Sequence, residues 1–313
     1  MTRAVVLDGA AVEAAVSPER ALEAVREAFV AHARGEWSMP PKVYVTNYPA
    51  GDFRAMPALG GGYALLKWIT SFPGNPAQGL PTVTGLVLVS DASNGQLRAV
   101  LDAASVTALR TGAAAVLAAE VLGRADASSA AVIGVGVNGR AAARTFLARG
   151  RAVSLWDTDP DRVEGVAAEL GATAAGSLEE ALAADLVVTV TPGHQVLFTE
   201  GTLRPGQHVS LMGADGPGKA EAANGEIARA HLFCDDWEQA SHGGELAHAV
   251  EAGVVGADRV TAIGDVLAGT AAGRASVDEI TLFDSTGLAI QDLAIALAAL
   301  DADTDVELPQ LEL

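Results

Sequence analysis

Gly134-Val135-Gly136-Val137-Asn138-Gly139, with Asp157 eighteen residues after its last glycine, decides the fold. The stretch reads G-x-G-x-x-G. It follows the apolar run Ala130-Ala131-Val132-Ile133 directly and leads into a helix-like segment, 140–149. A second apolar run, Val153-Ser154-Leu155-Trp156, then ends in Asp157. Strand, glycine turn, helix, strand and acid, in that order, are what a dinucleotide-binding βαβ unit requires. The first glycine allows a tight turn. The second lets backbone approach a pyrophosphate resting on the helix N-terminus, and the third lets helix and strand pack closely. Gly134, Gly136, Val137, Asn138 and Gly139 are therefore the expected phosphate cradle. The Asp157 carboxylate would hydrogen-bond the adenosine ribose hydroxyls and repel a 2′-phosphate, which makes NAD(H) the expected cofactor rather than NADP(H). A bare glycine motif also fits a turn with no ligand; the two strands and the acid are what favour the cofactor.

Working outward, the pattern from Ala130 onward alternates strands and helices. Strands are expected at 130–134, 152–156, 186–190, 208–212, 231–234 and 279–283, a doubly wound α/β sheet. The N-terminal part reads differently. Ser17 as N-cap and Pro18 in the first turn open a helix that runs to Ala33 and stops at Gly35. Strand-like runs follow at 42–46, 53–56, 63–72, 82–90 and 96–101, with Asn94-Gly95 as a hairpin signal, so this part is a mostly antiparallel sheet. An alanine-rich helix, 104–122, leads to Gly123 and a polar linker, 124–129. A last helix, 288–300, is apolar enough to pack back on the first domain, and the acidic tail after Asp301 is expected to be loose.

The chain has 313 residues, about two domains' worth, and half of them are hydrophobic. No run is expected to span a membrane, because charges interrupt every apolar segment. The start, Met1-Thr2-Arg3-Ala4, lacks the apolar core of a signal peptide, so the expected location is cytoplasmic. Cys234 is the single cysteine and is expected to be a small buried hydrophobe. A net charge of -19 argues against nucleic-acid binding. The six histidines show no ligand spacing, so no metal is expected. Arginines number 17, against three lysines, Lys42, Lys67 and Lys219. Lysine is a point charge with a shiftable pKa, arginine an always-charged fork. Chance explains any one lysine, but all three fall in stretches that stand out for other reasons.

Lys67 is the sharpest candidate. Alternation in Tyr63-Ala64-Leu65-Leu66-Lys67-Trp68-Ile69 puts it on one face with Tyr63, Leu65 and Ile69, where an ammonium is costly unless paired or bound to an anion. The bland alternative is a strand-edge lysine snorkelling to water. Arg110 is the lone charge between Asp102 and Glu120, which suits either an anionic ligand, such as a carboxylate or the cofactor pyrophosphate, or a buried ion pair. Asp215, in Met212-Gly213-Ala214-Asp215-Gly216-Pro217-Gly218-Lys219, follows a strand whose carboxyl end should face the nicotinamide cleft; from pattern alone an ordinary Asp-Gly turn is slightly favoured. Residues 74–82 pass as a loop, and His242-Gly243-Gly244-Glu245 as either a mobile lid or a loop.

At these residues the chain resembles the ornithine cyclodeaminase/mu-crystallin family, and within it the archaeal-type alanine dehydrogenase branch. The stretches that carry the resemblance are 39–44, 54–58, Lys67-Trp68, 73–76, 79–83, Leu109-Arg110-Thr111-Gly112-Ala113-Ala114, 213–219, 242–245 and Phe283-Asp284-Ser285-Thr286-Gly287 to Asp292. The resemblance implies a Rossmann-type domain, 125–287, inserted into an α+β dimerisation and substrate domain made of 1–124 and 288–313, in a homodimer. It implies that Lys42, Lys67 and Arg110 hold a substrate carboxylate and that Arg54 belongs with them. It also implies that Asp215 is the catalytic acid or base, and that Arg110, Thr111, Thr189, Thr191, Gly213 and Ser285 lie against the cofactor.

Cyclodeaminases typically carry arginine in place of Lys42 and a glutamate near Arg54, which suits a basic substrate side chain; a cation there favours a small one. Mu-crystallin-like binding proteins lack the acid that this chain keeps as Asp215. The expected activity is thus NAD-dependent, reversible oxidative deamination of a small L-amino acid, alanine to pyruvate and ammonia. The alternatives are ornithine cyclodeaminase, cyclic ketimine (pyrroline-2-carboxylate) reductase, and a nucleotide-binding protein without turnover.

Overall fold

The computed structural model describes residues 3–193, 195–214, 216, 218–302 and 308–312. The chain divides into two compact units, Met1–Arg110 with Leu288–Leu313, and Thr111–Gly287. The boundary falls inside one helix, α3 (Ala103–Leu122), rather than in the polar linker at 124–129.

Among the described residues, the first unit holds a seven-stranded sheet and the second an eight-stranded one. The strands of the first are β1 (Arg3–Leu7), β2 (Val43–Asn47), β3 (Gly51–Gly60), β4 (Tyr63–Ser71), β5 (Val83–Asp91), β6 (Leu97–Asp102) and β15 (Gln310–Glu312), in the order β15-β1-β6-β5-β4-β3-β2. β2 to β6 form an antiparallel meander, and β1 joins β6 in parallel. Helix α1 (Gly9–Ala15) starts at Asp8, whose carboxylate accepts from Ala11 N. Helix α2 (Pro18–Ala33) starts as expected at Ser17, whose hydroxyl accepts from Arg20 N. Asp102 accepts from Ser105 N and so opens α3. Helix α11 (Ala289–Leu300) packs on α2 and on β3 to β5, and its residues are almost all buried.

Two expectations need correction. The tail after Asp301 is not loose throughout, because Gln310–Glu312 pairs antiparallel with β1 and Glu312 meets Arg3 at 3.3 Å. An acidic segment can add to a sheet edge where a cation and open backbone groups await it. And α3 is, by length and composition, apolar enough to cross a membrane, although 78% of its most apolar window is buried in the protein. One arginine, Arg110, is not enough to make the helix polar, and core helices pass the same test.

The second sheet is wholly parallel. Its strands are β7 (Ala130–Ile133), β8 (Val153–Trp156), β9 (Thr173–Ala174), β10 (Leu186–Thr189), β11 (His208–Leu211), β12 (His231–Cys234), β13 (Val260–Ala262) and β14 (Thr281–Asp284). Their order, β9-β8-β7-β10-β11-β14-β12-β13, reverses direction between β7 and β10. That reversal is where ligands bind such sheets, outside the carboxyl ends of the strands. Helices α4 (Val137–Ala148), α5 (Pro160–Leu170), α6 (Leu178–Leu182), α7 (Asn224–Arg229), α8 (Trp237–Gly243), α9 (Ala247–Glu251) and α10 (Ile263–Ala268) connect the strands. Strands β7, β10, β11 and β14 are buried on both faces, as continuous apolar runs in a parallel sheet should be. Cys234 is buried in β12, and burial pushes its thiol far up, so it packs as a hydrophobe. The sheet is therefore α/β and doubly wound, as read from the glycine motif.

Candidate functional site

In the second unit, the glycine motif forms the turn from β7 to α4. Gly134 adopts φ +92°, a left-handed conformation that favours glycine, and its N–H donates to Trp156 O at 2.8 Å. A Cβ on Gly139 would run into the carbonyl oxygen of Gly134, whereas one on Gly136 would meet no protein atom. Gly136 is the N-cap of α4 and offers no side-chain cap, so the first N–H groups of the helix stay available to an anion. Asp157, at the end of β8, accepts from Val135 N through Oδ2 at 2.9 Å and from Asp159 N through Oδ1 at 3.2 Å. The carboxylate thus pins the turn to the neighbouring strand. The Thr111 hydroxyl is buried and has no hydrogen-bond partner among the described residues. This cradle fits the phosphates and ribose of a dinucleotide.

The carboxyl ends of β10 and β11 carry a network that no local sequence pattern announces. Glu221 is fully buried; it accepts from Thr189 Oγ1 at 2.6 Å and from Thr191 Oγ1 at 2.5 Å. Glu245 is also buried and accepts from the N–H groups of Glu221 and Ala222 at 2.8 and 2.7 Å. Burial raises both carboxyls, and in Glu245 the charge of Glu221 adds to the rise. Ser285 Oγ donates to Asp235 Oδ2 at 3.0 Å. The hydroxyls of Thr189, Thr191 and Ser285 thus each donate to a buried acid, and Thr191 N donates to Glu221 as well. His242-Gly243-Gly244-Glu245 is neither an open loop nor a lid: α8 ends at Gly243 and Glu245 is anchored by two N–H groups. Gly213 sits so close to Glu221 that a Cβ would collide with its carboxylate. Asp215, the expected acid or base, lies outside the described residues.

In the first unit, β4 places Lys67 on the sheet face covered by α11. Leu65, Lys67 and Ile69 are buried, while Leu66 and Trp68 point to the opposite face. The strand-edge alternative fails, since β4 lies between β3 and β5 and Lys67 is 1% exposed. Its Nζ meets Asp292 Oδ1 at 2.9 Å, and Arg110 Nε lies 3.5 Å from the same oxygen. Of the two readings of Arg110, the buried ion pair is what the side chain makes. Burial pushes Lys67 down to about 8; Asp292 resists the fall, and Arg110 and Lys42 add to it.

Arg54, on β3, shares that face. Its Nε donates to Asp52 Oδ1 at 2.6 Å, and its guanidinium lies 5.4 Å from the Tyr44 ring centre. Lys67, Arg110 and Lys42 thus gather around Asp292, and Arg54 on the same face pairs with Asp52. Sequence reasoning missed Asp52, Gln291 and Asp292 as site residues. Asp292 ends a stretch that is conspicuous in itself, but no local spacing ties it to a lysine 225 residues away.

The family model for "Ornithine cyclodeaminase/mu-crystallin family" matches residues 2–304. The chain belongs to this family. Alanine dehydrogenase of Archaeoglobus fulgidus is 43% identical over 292 residues, 91% of this chain and 90% of that protein. A solved archaeal alanine dehydrogenase dimer with bound NAD superposes with a TM-score of 0.90 at 41% identity, covering 95% of each chain. Delta(1)-pyrroline-2-carboxylate reductase of Paracoccus denitrificans is 37% identical over 243 residues, 74% of this chain and 76% of that one.

Proposed function

We propose that this family member is an NAD-dependent amino acid dehydrogenase that interconverts a small L-amino acid, alanine first, with its 2-oxo acid and ammonia. The observation that carries this reading is Arg54. A diamino acid needs an acid near its second ammonium. Asp52, the acid beside Arg54, is paired with that guanidinium, and Asp292 with Lys67, so neither is left for a second ammonium.

NAD, when bound, would supply the acceptor for the hydride of the substrate α-carbon. Lys42, Arg54 and Arg110 anchor the substrate carboxylate, and Lys67 donates to the oxygen of the carbinolamine or 2-oxo acid. A lysine near 8 holds its proton at neutral pH yet parts with it readily, as a general acid must. Asp215 moves protons to and from water and ammonia. The backbone of Gly134 to Gly139, with Thr111, Gly213 and the 189–191 and 285 segments, holds the dinucleotide. Asp157 selects against a 2′-phosphate, so NADPH should serve at least about tenfold less well than NADH.

The active form is a homodimer joined through the outer face of the first sheet. Val43, Val45, Leu66, Trp68 and Leu86, all on the face opposite Lys67, are 39–58% exposed. A contiguous apolar face of this kind marks an interface. Trp68→Glu should therefore convert the dimer to monomer in light scattering at micromolar protein; an unchanged mass would move the interface elsewhere.

The deciding assay follows absorbance at 340 nm with NAD and L-alanine, then with NADH, pyruvate and ammonium. Steady NADH change in both directions is expected. Proline and ammonia from ornithine without net NADH would establish the cyclodeaminase instead. The 37% identity to a Delta(1)-pyrroline-2-carboxylate reductase supports one second reading, and NADH oxidation with that cyclic imine but not with pyruvate would establish it.

A further inference from the structure

A buried ion pair between distant parts of a chain needs a reason, since a well-packed apolar pair is often as stable. Lys67 and Asp292 are such a pair, with 1% and 0% side-chain exposure. Asp292 Oδ1 receives Lys67 Nζ and lies near Arg110 Nε, while Oδ2 has no hydrogen-bond partner among the described residues. Both cations thus meet the same carboxylate oxygen, Oδ1. Its backbone is held as well: Gln291 Oε1 accepts from Leu288 N at 3.1 Å, which closes the first turn of α11, and Arg110 Nη1 donates to the same oxygen at 3.5 Å.

We propose that Asp292 is the positioning residue of Lys67, a carboxylate that fixes Nζ in place and keeps it a proton-bearing ammonium without itself touching substrate. This rests on the reading of Lys67 as the acid of the dehydrogenase. Consider what faces Lys67 from each element packed on β4. Arg110 comes from α3, Lys42 from the segment before β2, and Asp292 from α11. At the same register, β3 presents Met56 and β5 presents Val87, neither charged. Burial and two cations all favour the neutral amine; Asp292 alone among these groups favours the ammonium. Without it the balance tips toward the neutral amine, a weaker donor to a developing oxyanion than the ammonium.

The chain's three lysines make a direct test possible. Lysine labelled with 13C at Cε gives three resonances, and Lys67→Arg identifies the one that belongs to Lys67. In the wild-type protein that resonance should titrate near 8. In Asp292→Asn it should titrate at least about one pH unit lower. The matching limb of the kcat/KM profile should move the same way, with NADH affinity unchanged. An unmoved Lys67 midpoint in folded Asp292→Asn overturns the proposal. Asp292→Glu keeps the charge on a longer arm: the midpoint should stay, and kcat should fall about tenfold or more because Nζ is displaced. Wild-type kcat in that variant overturns the positioning half. A wild-type protein silent with alanine and pyruvate would remove the reaction but not the pairing, which the resonance reads by itself.

Discussion

Lys67→Met is expected to lower turnover with alanine by about a thousandfold or more while NADH binds within about twofold of wild type. The separation follows from where the two functions sit. Lys67 belongs to a sheet in the first unit, among Arg110, Asp292 and Lys42, whereas the glycine turn and Asp157 belong to the second unit. Methionine fills most of the lysine's volume, which alanine would not, so a cavity is not the cause of any loss. It does leave Asp292 buried with only Arg110 nearby, which costs about 3–5 kcal/mol if nothing relaxes. The double variant Lys67→Met/Asp292→Asn removes both charges together and should recover most of that stability without recovering turnover. NADH fluorescence titration, kcat and melting temperature together decide the matter. Turnover that survives in Lys67→Met would take the lysine out of the chemistry; parallel loss of NADH binding would mean a collapsed protein.

What the sequence made legible was whatever depends on neighbours in the chain. The glycine turn is local, and so are the Ser17-Pro18 helix start and the alternation that buries Lys67; all three stand where expected. What was hidden depends on long-range pairing. β1 was missed because it is a short element whose partners, β6 and β15, come from distant parts of the chain. Glu221 reads as one surface glutamate among many until β10 and β11 bring two threonines onto it. Asp292 shows the same limit. The helix that carries it is legible from its apolar pattern, but one polar residue in an apolar helix does not say which cation it meets. The acids that organise both units are thus the least visible residues in a chain rich in acids.

The glycine turn gives a second large effect, and a way to separate packing from ligand binding. Gly139→Val is expected to weaken NADH binding by about a hundredfold or more, equivalent to about 2.7 kcal/mol. The obstacle is backbone, because a Cβ there meets the Gly134 carbonyl oxygen, and α4 must move away from β7 to admit it. Such a shift carries the N–H groups of the helix N-terminus out of reach of the pyrophosphate, and the variant should also melt several degrees lower. Gly136→Val is the informative contrast. That glycine has φ −68°, and a Cβ attached to it would find no atom within 4 Å, so neither torsion nor protein contact opposes a side chain. Its melting temperature without cofactor should match wild type within about a degree, since surface substitutions rarely matter. If the dinucleotide rests on this turn, however, the valine occupies the approach of the pyrophosphate, and NADH affinity should fall about tenfold or more. Wild-type affinity in Gly136→Val would place the pyrophosphate elsewhere. Loss in both variants, with loss of stability in Gly139→Val alone, would assign the third glycine to packing and the second to the ligand.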